Sequence, residues 1–193
     1  TLALPLLVTP TLAGTGCREK NEEPLTYGEA FQALEEASIS TQAAELTSGS
    51  IELTTDFTIG GAVEAAAEEI QAYVASQLPC AEITLQGNTL AVEYGAKPGN
   101  CTYKGQTYSG SHSITVEKNE TGEVVVTHVW DELENGVMSV SGDAVVTWNF
   151  QDETRHVVHE LTWTRLKDGR TGVGRGDRLQ STLDGGLAEG IRI

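Results

Sequence analysis

The sequence is poor in positive charge. Only 12 Lys and Arg stand against 28 Asp and Glu, for a net charge of −16. Residues 1–96 hold two basic residues, Arg18 and Lys20, against fourteen acidic ones. Clustered Lys and Arg are what bind a phosphate backbone, so the balance excludes nucleic acid as a partner. It equally excludes a polybasic clamp on an anionic membrane. Long apolar runs are also missing: nothing reaches the roughly 20 residues of a membrane-spanning helix. Cysteine is scarce, with Cys17, Cys80 and Cys101 only. No phosphate loop is present, because "GVGRGD" lacks the Lys and does not lead into a helix.

What is there begins with "TLALPLLVTPT", short, apolar, uncharged and interrupted by Pro5 and Pro10. It reads as the hydrophobic part of a signal peptide whose start precedes the sequence given. "LAGTGC" follows, then the charged, turn-rich "REKNEEP". An apolar run, small residues, a Cys and a polar tether resemble a bacterial lipoprotein signal with its lipobox. Thr15 and Gly16 fit the small positions, while Gly14 stands where the family prefers Leu. The resemblance implies lipidation of Cys17 and anchoring to a membrane by that lipid. Arg18 in place of Asp favours the outer over the inner membrane by the same analogy. The alternative is an ordinary secretory signal with an incidental Cys.

With Cys17 assigned to the lipid, Cys80 and Cys101 are left as a pair. In an exported protein an even remainder implies a disulfide rather than two buried thiols. The domain reading is therefore a signal remnant at 1–16, a lipidated Cys and tether at 17–25, and one folded domain at 26–193, open at its C-terminal end.

Within that domain, Thr26 and Glu29 form a capping-box pattern that opens a helix over about 27–47. Tyr27, Phe31, Leu34 and Leu46 would share its apolar side. "IELTTDFTI", 51–59, alternates like a strand. Residues 61–78 give the clearest helix, with Val63, Ala66, Ile70, Val74 and Leu78 as its stripe and Pro79 as its stop. From Ala81 onward strands follow, separated by turn signals near 119–122, 135–136, 151–154 and 168–169. A weak repeat aligns "VWDELENG" with "LTWTRLKDG". The predicted fold class is α+β: a long antiparallel meander with two helices on one face.

Tight two-residue turns at Asn135-Gly136 and Asp168-Gly169 set a register in which one face is dry. That face collects His112, Ile114, Val116, Val125, Val129 and Leu133. It continues through Met138, Val140, Ala144, Val146, Trp148, Val157, His159, Leu161 and Trp163, with Gly172, Gly174 and Gly176 beside the aromatic end. His128, Trp130, Ser141 and Asp143 fall on the wet face, with His128 directly opposite Asp143. A cross-strand His–Asp pair can serve a hydrolase as its base, yet no glycine elbow or oxyanion signal accompanies Ser141. "HVVHE", 156–160, has the letters of a zinc motif but lies in a strand, so His156 and His159 point to opposite faces. No metal or other cofactor is expected. Arg175-Gly176-Asp177 lies in a strand and not at a loop tip. Glu35/Glu36 and Glu68/Glu69 read as solvated helix faces.

Three readings remain. The first is a non-catalytic envelope lipoprotein that binds another envelope protein or a surface polymer. The second is a carrier or sensor of a hydrophobic ligand held between helices and sheet. The third is a hydrolase using His128 and Asp143. Through "ASQLPCAEITL", "PGNCTY" and "HELTWTRL" the chain also resembles envelope lipoproteins of predatory soil-dwelling bacteria such as myxobacteria. That resemblance implies a location and brings no activity or site.

Overall fold

The structure is a computed structural model that describes residues 24–54, 63–149, 151–183 and 186–192. Among the described residues two helices, α1 (Tyr27–Leu53) and α2 (Val63–Gln77), precede ten strands. The strands are β1 (Glu82–Gln86), β2 (Thr89–Tyr94), β3 (Thr102–Tyr103), β4 (Gln106–Thr107) and β5 (Ser109–Lys118). β6 (Val124–Glu134), β7 (Met138–Asn149), β8 (Thr154–Arg165), β9 (Thr171–Leu183) and β10 (Gly186–Arg192) complete them. Eight form one antiparallel sheet in the order β1-β2-β5-β6-β7-β8-β9-β10, and β3-β4 is a separate small hairpin. The expected α+β meander with helices on one face is what the chain forms: α1 lies over β7, β8 and β9, and α2 over β1, β2 and β5.

The start of α1 is fixed by its cap. The Thr26 hydroxyl accepts from the Glu29 N–H at 3.3 Å, and the Glu29 carboxylate accepts from the Thr26 N–H at 2.8 Å. The helix then runs six residues past its expected end, and Ile51 and Leu53 lie in its last turns, not in a strand. The rest of that expected strand, from residue 55, lies outside the described residues. The polar run "TSGS" does not stop the helix because its hydroxyls bond back to the helix itself. Thr47 Oγ1 donates to the Ala43 carbonyl at 3.2 Å and Ser50 Oγ to that of Thr47 at 2.8 Å. With those groups satisfied, this end can be buried. Gly49 is needed there, since a Cβ would come within 2.6 Å of the Tyr108 hydroxyl.

Burial divides α1 in two. Ile39, Ala43, Leu46, Ile51 and Leu53 are in the core, whereas Tyr27, Phe31 and Leu34 are exposed. Of the predicted apolar side only Leu46 is covered. Glu35 is not merely solvated: it pairs with Arg165 at 2.8 Å and Arg170 at 2.5 Å, clasping the helix to the β8–β9 turn. In α2, Ala66, Ile70 and Val74 are buried as the stripe requires, and Leu78 follows just past its end. Cys80 and Cys101 are joined, with Cα atoms 5.4 Å apart and a sequence separation of 21. The bond ties the end of α2 to the β2–β5 connection. Closing such a loop stabilises by about 3 kcal/mol in the chain-entropy view.

Register is where structure and expectation part. β8 pairs with β9 so that Trp163 faces Gly172, Leu161 faces Gly174 and His159 faces Gly176. That is two residues from the expected register, and a shift of two leaves every side chain on its face. A Cβ at Gly172 or Gly176 would run into the Trp163 or His159 ring, so the bare backbone is required. β6 behaves differently. It pairs Val116 with Val126 and His128 with Ala144, one residue off the expected register. A shift of one turns the strand over. Val124, Val126, His128 and Trp130 are buried, and Val129 is exposed. A bulge between Trp130 and Leu133, with Glu132 at φ 49°, then brings Leu133 inward as expected.

Candidate functional site

The His128–Asp143 pair does not exist. His128 is fully buried beneath the helices, while Asp143 is exposed on the other face, opposite Val129 and Glu160. The cause is the one-residue offset of β6. Trp130 moves inward by the same step. Its indole N–H donates 2.9 Å to Ser50 Oγ on α1, joining sheet to helix. Ser141 stays outside, and its hydroxyl accepts from the Glu132 N–H in the bulge at 3.0 Å. Ser141 and His128 are thereby on opposite faces of the sheet.

The inversion creates a different constellation. Tyr94, His112 and His128 come from β2, β5 and β6 and form a buried hydrogen-bonded line. The Tyr94 hydroxyl is 3.1 Å from His112 Nδ1, and His112 Nε2 is 3.1 Å from His128 Nδ1. Trp130 stacks on His128 with ring centroids 5.8 Å apart, and Tyr108 leans on Tyr94 at 5.5 Å. Two proton arrangements satisfy both contacts. With Tyr94 O–H donating to His112 Nδ1 and His112 Nε2–H to His128 Nδ1, the unmet proton is on His128 Nε2; with the line reversed it is on Tyr94. His128 Nε2 has no hydrogen-bond partner among the described residues.

Burial sets the charge of this line. It pushes the His112 imidazole well below its ordinary value, and the neighbouring His128 adds to the effect. It pushes His128 down to about 3, with Arg155 contributing. Tyr94 is pushed up by burial and by Tyr108. Two neutral imidazoles and a neutral phenol, all away from water, cement a core; they are not placed to meet a substrate.

The opposite face of the sheet carries what is accessible. His156 and His159 point to opposite faces, as a strand demands, so "HVVHE" cannot close on a metal. Among the described residues no three His, Cys, Asp or Glu side chains converge. His156 Nε2 lies 2.6 Å from Asp177 Oδ1, and Arg175 pairs with Glu160 at 2.7 Å. Both pairs flank a shallow depression lined also by Asp143, Val145 and Val158. Val129, Val158, Val173 and Leu179 are exposed apolar side chains on the same face. Period-two alternation marks these as outward residues. The His156–Asp177 pair could be found only with the β8–β9 register in hand. The Arg175-Gly176-Asp177 tripeptide lies extended along β9, with both charges engaged.

No protein-family model matches the chain, and neither the curated proteins nor the solved structures include a match to it.

Proposed function

We propose that the protein is a non-catalytic binding module, exported and held at the outer membrane by a lipid on Cys17, with the uncovered face of its sheet as the recognition surface. The observation that supports this reading is the asymmetry of the sheet. Both helices cover one face, and the histidines that could have done chemistry are sealed under them. Among the described residues nothing packs on the other face, which presents exposed valines and leucine amid Ser, Thr and charged pairs. Mixed surfaces of this kind suit protein or polymer recognition better than small-molecule turnover.

The test has two parts. Cys17→Ser should move the protein from the membrane to the soluble fraction; unchanged membrane association refutes the anchor. The released protein should then bind isolated envelope fragments, and Val158→Glu or Leu179→Glu should abolish that binding while Gln71→Glu on α2 preserves it. Equal binding by all of them refutes the sheet face. A stoichiometric lipid in the native mass spectrum would replace this reading with that of a hydrophobic-ligand carrier.

A further inference from the structure

On the helix side, where α1 ends over β8 and β9, lies a cleft of about 130 Å³. Its deepest members are Arg155, Gln180, Ile51 and Val157, each buried. Arg178 and Ser48 are half-buried at its sides, and Glu52 is at the rim. Two arginines facing one small cleft are unusual in a chain with 12 basic residues in all. Arg155 Nε donates to Gln180 Oε1, and its guanidinium lies 5.3 Å from the Trp148 ring centre. That contact fixes the Gln180 side chain with its amide N–H₂ left to donate. Arg178 Nε is buried and has no hydrogen-bond partner among the described residues. A buried guanidinium N–H without an acceptor costs free energy that an anion would recover. Burial, with Arg178 alongside, also lowers the Arg155 pKa, while Glu52 works the other way.

We propose that this cleft binds a monocarboxylate on a short aliphatic stem, its oxygens taken by Arg155 and Arg178 and its stem lying against Ile51 and Val157. Planar guanidinium forks match carboxylate geometry, and Gln180 and Ser48 supply neutral donors. Phosphate would meet the same forks. However, the negative end of the α1 dipole opposes a second negative charge at this spot, and Glu52 at the rim is already paired with Lys104 at 2.7 Å. A single charge shared between two arginines is what the surroundings accept. The site lies on the face opposite the proposed recognition surface, so neither stands or falls with the other.

The test titrates the oxidised protein with sodium butyrate, following the Arg178 Nε–Hε NMR signal, against sodium chloride at matched ionic strength and against inorganic phosphate. Butyrate should move the signal saturably, chloride should not, and phosphate should act more weakly. Thermal stabilisation by butyrate should fall in Arg178→Gln, with affinity down about tenfold, as the loss of one charged hydrogen bond implies. Arg155 is too buried for a clean variant, so Gln180→Met is the second, and it should weaken butyrate without affecting chloride. No saturable shift, or equal butyrate response in both variants, overturns the site. A stronger response to phosphate overturns the carboxylate assignment and makes phosphate the ligand.

Discussion

Two hydrogen-bonded pairs, His112 with His128 and His156 with Asp177, sit on the two faces of one sheet, and they share almost nothing but histidine. His112 and His128 lie under the helices, with Tyr94 and Trp130 around them and no exposed atom of consequence. His156 lies on the open face with Asp177, at 46% and 75% side-chain exposure. The first pair is packing that happens to be polar. The second is surface chemistry within reach of a partner. What separates them is strand parity, since each is one residue away from facing the other way. The function of a histidine in a meander is therefore decided by register before it is decided by chemistry.

The contrast can be broken most severely from the buried side. Trp130→Ala removes the indole, empties its place in the core and leaves Ser50 without its donor; it should cost about 3–5 kcal/mol in urea unfolding. His128→Ala should cost a similar amount less its smaller volume, about 2–4 kcal/mol, because His112 Nε2 loses its hydrogen-bond partner. A loss under 1 kcal/mol for either would place the strand the other way up. Replacing Cys80 and Cys101 together by Ala should cost about 3 kcal/mol. Labelling of the native protein by a thiol reagent without prior reduction would contradict the bond.

A pH series sharpens the contrast next. The folded state holds His112 and His128 neutral, with their pKa values depressed, while the unfolded chain takes up protons below about 6.5. Stability is therefore fully present above that pH and declines as pH falls toward the folded-state value, about 3 for His128. The slope is about 1.4 kcal/mol per pH unit for each buried histidine. NMR of the folded protein at pH 5 should show both rings neutral; titration of either near 6.5 would end the argument. The smallest effect belongs to the open face. His156→Ala and Asp177→Ala should each change stability at pH 7 by less than about 0.5 kcal/mol. A larger loss would mean that the outer pair is structural after all.

Much of this was legible in residues alone. Thr26 and Glu29 announced the cap, the α2 stripe announced its buried side, and the turns from Asn119 to Gly169 divided the strands correctly. β6 was not legible, for a physical reason. "VVVTHVW" alternates equally well in either phase: Val124, Val126 and Trp130 make one apolar face, Val125 and Val129 another. Only the loop lengths choose between them. The Asn135 turn spans more than two residues, with its side-chain oxygen accepting from the N–H groups of Val137 and Met138 at 3.0 and 2.9 Å. The bulge at Glu132 adds the odd residue. Neither length has a sequence signal, since Glu is an ordinary strand-end residue and the room for its carbonyl comes from Gly110 on the neighbouring strand, where a Cβ would run into it. The overlong α1 was hidden likewise, because the satisfaction of Ser50 depends on Trp130, eighty residues on.

The sheet order has a consequence in time. From β5 onward each strand's neighbour in space is its neighbour in the chain, and no strand is inserted between two already paired. A chain delivered N-terminus first, from a ribosome or through a pore, can extend the sheet one hairpin at a time at its growing edge. Of the two helices α1 waits longer: it has only α2 beside it until β7, β8 and β9 are in place. Until then its apolar end must be kept from other company, so the slow and vulnerable moment of assembly falls at the docking of the oldest segment onto the newest.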